Sequence, residues 1–313
     1  MSNPLISIAL CTYQGERFLA RQLDSLLAQT YRPIEIVIQD DCSTDQTWEI
    51  VEAYKRKFPD IIRSFRNKIQ LGIRSNFESV FQKCQGELIA PCDQDDIWDF
   101  SKLEEMSSRI GDHILIYHDS ALVDESGVSL GRRVSEKFQF AKGSDPAKLL
   151  LMNCVSGHSI LFKKQLLAHA HPFPAKGYYD HWLAFTAMCF GTVDYLDKTL
   201  VLFRQHRNNY SSFTKMKRHR SNHSIRKMEQ ENYWLYTCKK VLGDHPSTSA
   251  EIQLIEHAQR RESQFFSPRL GWLIWKNRGR FLYLIPGTSL RKFFFALRYC
   301  FGLKIKRLKF FRL

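Results

Sequence analysis

Residues Cys92-Asp93-Gln94-Asp95-Asp96-Ile97-Trp98 set three carboxylates within four positions, directly after the apolar segment Leu88-Ile89-Ala90-Pro91. Carboxylates this close repel one another, so a fold keeps Asp93, Asp95 and Asp96 ionised only beside solvent or a cation. Hard oxygen ligands at this density suit Mg²⁺ or Mn²⁺, ions that commonly hold a substrate's phosphates. Taken alone, the stretch also reads as a solvated acidic turn. The other candidates have similarly plain readings. Asp40-Asp41, followed by Ser43-Thr44-Asp45, fits a turn and helix cap. Asp180, before His181 and Trp182, fits an N-cap, and His206 fits a surface histidine between basic residues.

The elements around these residues decide between the readings. Leu5 to Cys11 reads as a strand, and Leu19, Leu23, Leu26 and Leu27 make a helical stripe. Ile34 to Gln39 is a second strand, and Trp48, Val51, Tyr54 and Phe58 continue with helical spacing. Ile61 to Phe65 reads as a third strand, Ile73 to Cys84 as a helix and Leu88 to Cys92 as a fourth strand. Strand–helix alternation predicts a doubly wound, mainly parallel sheet. Such sheets bind ligands beyond the carboxyl ends of their strands. Both acidic clusters fall at such ends. Further on, Ile114–His118, Ser159–Phe162 and Leu200–Phe203 look like strands and Asp180–Phe190 like a helix. Gly157-His158-Ser159 fits a β-turn.

Composition narrows the function. The first strand is followed by neither a Gly-x-Gly-x-x-Gly loop nor a Walker-type Gly-Lys-Ser/Thr loop, which argues against nicotinamide enzymes and P-loop nucleotidases. The eight cysteines include no Cys-x-x-Cys pair and sit mostly in apolar surroundings, as reduced thiols of a cytosolic protein do. The N-terminal stretch lacks signal-peptide character, and no apolar run reaches the roughly 18 residues that cross a bilayer.

The quoted residues, in this order, strongly resemble family 2 glycosyltransferases. The likeness is carried by Ile6 to Gly15, Gln22 to Tyr31, Glu35 to Asp45 and the acidic stretch itself, and it extends over roughly residues 4–212. Cys-Asp-Gln-Asp-Asp-Ile-Trp is most similar to bacterial enzymes labelled rhamnosyltransferases, which build O-antigen and other surface polysaccharides. The resemblance implies a GT-A fold, a Rossmann-like sheet flanked by helices. It also implies a nucleotide-sugar donor (dTDP or UDP), a divalent cation (Mn²⁺ or Mg²⁺) and transfer with inversion. By position, Thr12, Tyr13 and Asp41 would line the nucleoside pocket, and Asp93 would approach the ribose or an adjacent group. Asp95 would bind the metal, with Asp96 supporting its loop or facing the sugar. In Tyr179-Asp180-His181-Trp182, Asp180 is the candidate general base. In Arg204-Gln205-His206-Arg207-Asn208-Asn209, His206 would approach the metal or diphosphate. Trp98, His181 and Arg204 are further donor or acceptor candidates. Phe100 departs from the family, where proline is common.

The net charge of +14 is unevenly spread. Residues 1–214 hold 24 Lys+Arg against 26 Asp+Glu, whereas residues 215–313 hold 22 against 6. This places a boundary near Ser212 to Lys215, between a catalytic domain (1–214) and a basic, mostly helical C-terminal region (215–313). In that region Ile225–Leu242 and Ala250–Phe265 look helical. Leu290, Phe293, Phe294, Leu297 and Phe301 follow helical spacing, and Lys304, Lys306, Arg307, Lys309 and Arg312 extend the basic character. Basic amphipathic segments suit an anionic membrane surface, and packing of the same aromatics on the catalytic core is the alternative. A membrane surface agrees with a polyprenyl-diphosphate-linked glycan acceptor and a peripheral position at the inner face of the bacterial membrane. Nucleic acid is a poorer partner, because the ligand end of the sheet is acidic and no recognition motif is present.

Overall fold

A computed structural model describes residues 3–207, 209, 223–242 and 249–302. The boundary at Ser212 to Lys215, Asn208 and the basic stretch from Lys304 to Arg312 lie outside the described residues.

Strands β1 (Ile6–Thr12), β2 (Ile34–Asp40), β3 (Ile62–Arg66) and β4 (Leu88–Cys92) pair in parallel in the order β3-β2-β1-β4. β1, β2 and β4 are buried along their whole length, as expected for parallel strands with both faces covered. Helix α1 (Leu19–Leu27) supplies one cover by burying Leu19, Leu23 and Leu26 at helical spacing. α2 (Thr47–Lys57) and α3 (Ile73–Lys83) connect the next strands, and α3 buries Phe77, Val80 and Phe81.

Beyond β4 the sheet becomes mixed. After the short β5 (Ile97–Trp98) and α4 (Lys102–Ile110) come β6 (Leu115–Val123), β7 (Ser129–Arg133) and β8 (Ile160–Lys163). Next are α5 (Leu167–Ala170), α6 (Tyr179–Phe190) and β9 (Val193–Arg204). The ladder continues β4-β8-β6-β9-β5, antiparallel except for β6 with β9, and β7 pairs with β6. Pattern reading missed β5 and β7, one a two-residue strand and the other an exposed edge strand. β9 is far longer than Leu200–Phe203 because its first half is polar and only partly buried.

Helices α7 (His223–Leu242), α8 (Ser249–Arg260), α9 (Pro268–Lys276), α10 (Arg278–Phe281) and α11 (Ser289–Cys300) form the C-terminal region. Leu235, Ile255 and Ile274 belong to the same buried cluster as Phe77, Phe81 and Phe185. Trp234 donates to the Leu150 carbonyl at 2.9 Å. Arg280 makes a two-pronged pair with Asp145 (2.9 and 2.7 Å) and also meets Glu251. Trp234 of α7 therefore packs against residues 150 to 185 of the preceding part. α6 is buried nearly all round because it lies between sheet and helices. The cysteines form no disulfide, and seven of the eight are buried.

Candidate functional site

The carboxyl ends of β1, β2 and β4 bring three loops together. Gln94, between the acidic residues, accepts from the Tyr13 N–H and donates to the Tyr13 carbonyl, both at 2.8 Å. This clamp ties the loop after β1 to the acidic loop. Tyr13 keeps 42% of its surface exposed, so its ring is available to a ligand. Thr12 is buried and donates to Asp40 at 2.9 Å, and Asp40 in turn accepts from the Ser43 hydroxyl at 2.6 Å. The Thr12 side chain thus stiffens the loop. Asp41 is also buried. It accepts from Asn67 (2.8 Å), the Leu71 N–H (2.7 Å) and the Gly72 N–H (2.8 Å). An ionised carboxylate offers about four acceptor positions, so Asp41 holds the 67–72 loop and retains room for one more donor. Gly72 sits at φ 81°, a conformation that glycine reaches without a Cβ penalty.

The acidic loop itself contains two cation-compatible groupings. Asp95 lies 2.7 Å from Nε2 of His206, so the two side chains expected to share a metal are adjacent. Asp93 and Asp96 converge on His158, whose Nδ1 lies 3.8 and 3.5 Å from their carboxylate oxygens. One ligand atom from each of Asp93, Asp96 and His158 lies within 4.8 Å of the others. Asp96 is fully buried; its Oδ1 accepts from the Arg204 N–H at 3.1 Å, while Oδ2 has no hydrogen-bond donor. Burial, and then the charges on Asp95 and Asp93, push its carboxyl well above the usual range. A carboxylate oxygen buried without a donor beside two like charges is an environment that a cation relieves.

The residues behind the loop fix it. Arg204 is buried, donates to the Asp95 carbonyl (2.8 Å) and the Glu125 carbonyl (2.8 Å), and lies over the Phe18 ring. It braces the acidic loop from behind. Trp98, on β5, is buried in the core with Leu103 and Met106. Its indole packs in that cluster. Lys102 lies buried over the Trp98 ring and donates to the His158 carbonyl at 2.7 Å; burial lowers its amine to about 7. His158 was legible only as part of a small, polar turn. Its role depends on Ser120, on β6, which meets its Nε2 at 2.9 Å.

Asp180 opens α6. Its Oδ1 accepts from the His181 N–H at 2.6 Å and from Asn153 at 3.3 Å. Burial raises its carboxyl to about 7, despite those donors, and the charge on Asp93 adds to the rise. His181 turns away, with Nε2 2.6 Å from the Leu149 carbonyl and its ring stacked on Trp234 at 3.8 Å. Burial lowers it to about 4, so its ring is neutral near pH 7. Beside Asp180, the Tyr179 ring stacks on Phe77, and its buried hydroxyl lacks a hydrogen-bond partner. A Cβ on Gly157 would overlap that hydroxyl. Gly157→Ala is therefore expected to destabilise the fold by about 1–3 kcal/mol. A lowered thermal midpoint, partly restored by Tyr179→Phe, checks this. An open groove of about 930 Å³, lined by Tyr31, Glu87, Glu104 and Lys163 among others, lies at the opposite ends of the strands and contains none of these residues.

The family model described as glycosyl transferase family 2 matches residues 7–169. An uncharacterized protein of Mycobacterium tuberculosis is 26% identical over 223 residues, covering 67% of this chain and 62% of the relative. This chain therefore spans less than two thirds of that relative's length. An uncharacterized glycosyltransferase of Nostoc is 24% identical over 304 residues, covering 89% and 92%. An Escherichia coli protein named UDP-Glc:alpha-D-GlcNAc-diphosphoundecaprenol beta-1,3-glucosyltransferase is 27% identical over 189 residues, covering 59% and 70%. Among solved structures, Staphylococcus aureus TarS in complex with UDP-GlcNAc superposes with a TM-score of 0.61 at 18% identity, covering 94% of this chain and 82% of that one. A Pyrobaculum calidifontis mannosyltransferase with GDP-Man and Mn²⁺ gives 0.55 at 17%, covering 95% and 75%. These likenesses establish a GT-A-like fold. With more than half its length matched by the family model, the chain belongs to glycosyl transferase family 2.

Proposed function

We propose that this protein moves a sugar from a nucleoside-diphosphate donor to a hydroxyl of a glycan acceptor, with inversion at the anomeric carbon. The observation that carries the reading is the meeting of two carboxylate sets at one end of the sheet. Asp93, Asp95 and Asp96 lie on the loop after β4 and Asp180 at the start of α6, and the 157–158 turn joins them, His158 facing Asp93 and Asp96 and Gly157 lying against Tyr179.

Asp95 and His206 are the residues we assign to a divalent cation, with Asp93, Asp96 and His158 beside them. The mixed carboxylate and imidazole set, with the orphaned Asp96 oxygen, fits Mn²⁺ or Mg²⁺. When bound, such an ion supplies Lewis-acid stabilisation to a diphosphate leaving group. Tyr13 and the last acceptor position of Asp41 suit a nucleobase. Asp180 takes the proton of the acceptor hydroxyl as its oxygen bonds the anomeric carbon and the bond to the diphosphate breaks. One base, and no convincing covalent nucleophile among the described residues, favours a single displacement with inversion.

Rhamnose, carried on dTDP or UDP, is the sugar suggested by the wording of the acidic motif, and O-antigen or another surface polysaccharide is the product class. The E. coli relative's name supports a polyprenyl-diphosphate-linked acceptor, and with it a peripheral position at the inner face of the membrane. A thermal-shift screen of UDP-, dTDP- and GDP-sugars, with and without Mn²⁺, tests the reading. At a ligand concentration 100 times Kd, the matching donor is expected to raise the midpoint by roughly 5–10 °C, with Mn²⁺ present only. If no nucleotide sugar shifts the midpoint in Mn²⁺, the proposal fails.

A further inference from the structure

We propose that the face shared by α9 and α11 docks the protein on an anionic lipid bilayer. It deepens the acceptor side of the reading above, on which its biological sense rests, and is independent of the donor chemistry.

The two helices bury one face each, α9 through Leu270, Leu273 and Ile274 and α11 through Ala296, Tyr299 and Cys300. Gly271 lets them approach closely, since a Cβ there would overlap the Cys300 sulfur. The faces turned outward are apolar too. Trp272 is 60% exposed, Leu290 63%, Phe293 44% and Phe294 58%. These residues are contiguous: Leu290, Phe293 and Phe294 follow helical spacing on α11, and Phe293 meets Trp275 of α9 at 5.5 Å. One turn before Trp275 on α9 stands Trp272. A continuous, bulky patch of this kind on a packed helix pair marks an interaction site.

Charge identifies the partner. Residues 264–302 contain seven Lys+Arg and no Asp or Glu. Arg280 is held internally by Asp145 and Glu251. The other six are Arg269, Lys276, Arg278, Arg291, Lys292 and Arg298. They interleave with the patch, Lys276 lying over the Trp272 ring at 5.0 Å and Arg278 over Trp275 at 4.7 Å. Aromatic and leucine side chains rimmed by cations match the interfacial layer of a bilayer, where rings enter the headgroup region and cations meet lipid phosphates. A second copy would set like charge against like charge. Residues 303–313 add five Lys+Arg and no acid, so their sequence offers no counter-charge. Among the described residues no helix is long and apolar enough to cross a membrane, so this contact lies at the surface.

Sedimentation of the full chain with vesicles tests the inference, using phosphatidylcholine alone and with one part in three phosphatidylglycerol. The chain is expected to bind the anionic vesicles at least about tenfold more tightly, less so in high salt. Trp272→Ser with Phe294→Ser, and separately Lys276→Glu with Arg291→Glu, are each expected to weaken binding about tenfold or more without moving the thermal midpoint. Equal binding of parent and both double variants overturns the assignment, as does equal binding to the two vesicle types. A dimer in solution that the Trp272 and Phe294 changes dissociate would give the face to a second copy. RNA that displaces vesicles from the parent would give it to nucleic acid. Either result overturns the proposal. If vesicle binding fails while Mn²⁺-dependent donor binding stays, docking falls and the transferase reading stands.

Discussion

Asp95→Ala is expected to abolish Mn²⁺-dependent donor binding and to lower kcat/KM for transfer by roughly 10³-fold or more, the scale of the several kcal/mol a bound cation contributes. The loop should survive the change. Arg204 holds Asp95 through its backbone carbonyl, and Gln94 clamps Tyr13 without using the Asp95 side chain. The loss therefore reports on the carboxylate and not on unfolding. His158→Ala is expected to act more gently, raising the Mn²⁺ needed for half-maximal donor binding by about 10–100-fold, as removal of a neighbour of the ligands does. Calorimetric titration of donor at several Mn²⁺ concentrations separates the two. Donor binding by Asp95→Ala with the parent's metal dependence would remove Asp95 from the cation site.

Asp180→Asn is expected to keep donor affinity and lose about 10²–10⁴-fold in kcat, the range of general-base help. Asparagine retains an oxygen for the His181 N–H and Asn153 donors, so the start of α6 should hold its shape. The pH dependence gives an independent reading. Burial raises the Asp180 carboxyl to about 7, so its basic form is scarce below that value. Transfer by the parent should rise with pH, about tenfold per unit below 7, and level off above it. The sign for stability is the reverse. A carboxyl raised from its unfolded value of about 4 binds its proton more tightly in the folded state, so its contribution declines as pH rises from about 4 to 7. Asp180→Asn removes both dependences. Parent-rate transfer by this variant would sink the assignment.

The sequence could be read furthest where burial is simple. β1 and β4 are near-continuous apolar runs, β2 keeps isoleucines at alternate positions, and α1 and α3 repeat leucine or phenylalanine at helical spacing. Each pattern reports a local environment, so the alternating first half and the strand ends carrying Asp41 and Asp93 were legible from order alone. β5 and β7 were not, because a two-residue pairing and an exposed edge leave no periodic trace.

Side-chain direction was the other limit. His181 follows Asp180 in sequence, yet a helix turns successive residues by about 100°, so one meets Asn153 and the other stacks on Trp234. Trp98 and Thr12 also lie near the motif but are used in packing and loop support.

The sequence by itself determined the strand–helix order, the acidic residues at strand ends and the basic character of the last third, because these follow from residue type and short-range spacing. Only the tertiary structure decided that His158 faces Asp93 and Asp96, that Arg204 braces the loop from behind, and that Trp275 meets Phe293 across two helices. Those are meetings between residues 18 to more than 100 positions apart. They depend on which elements the chain packs side by side, and no local pattern encodes that choice.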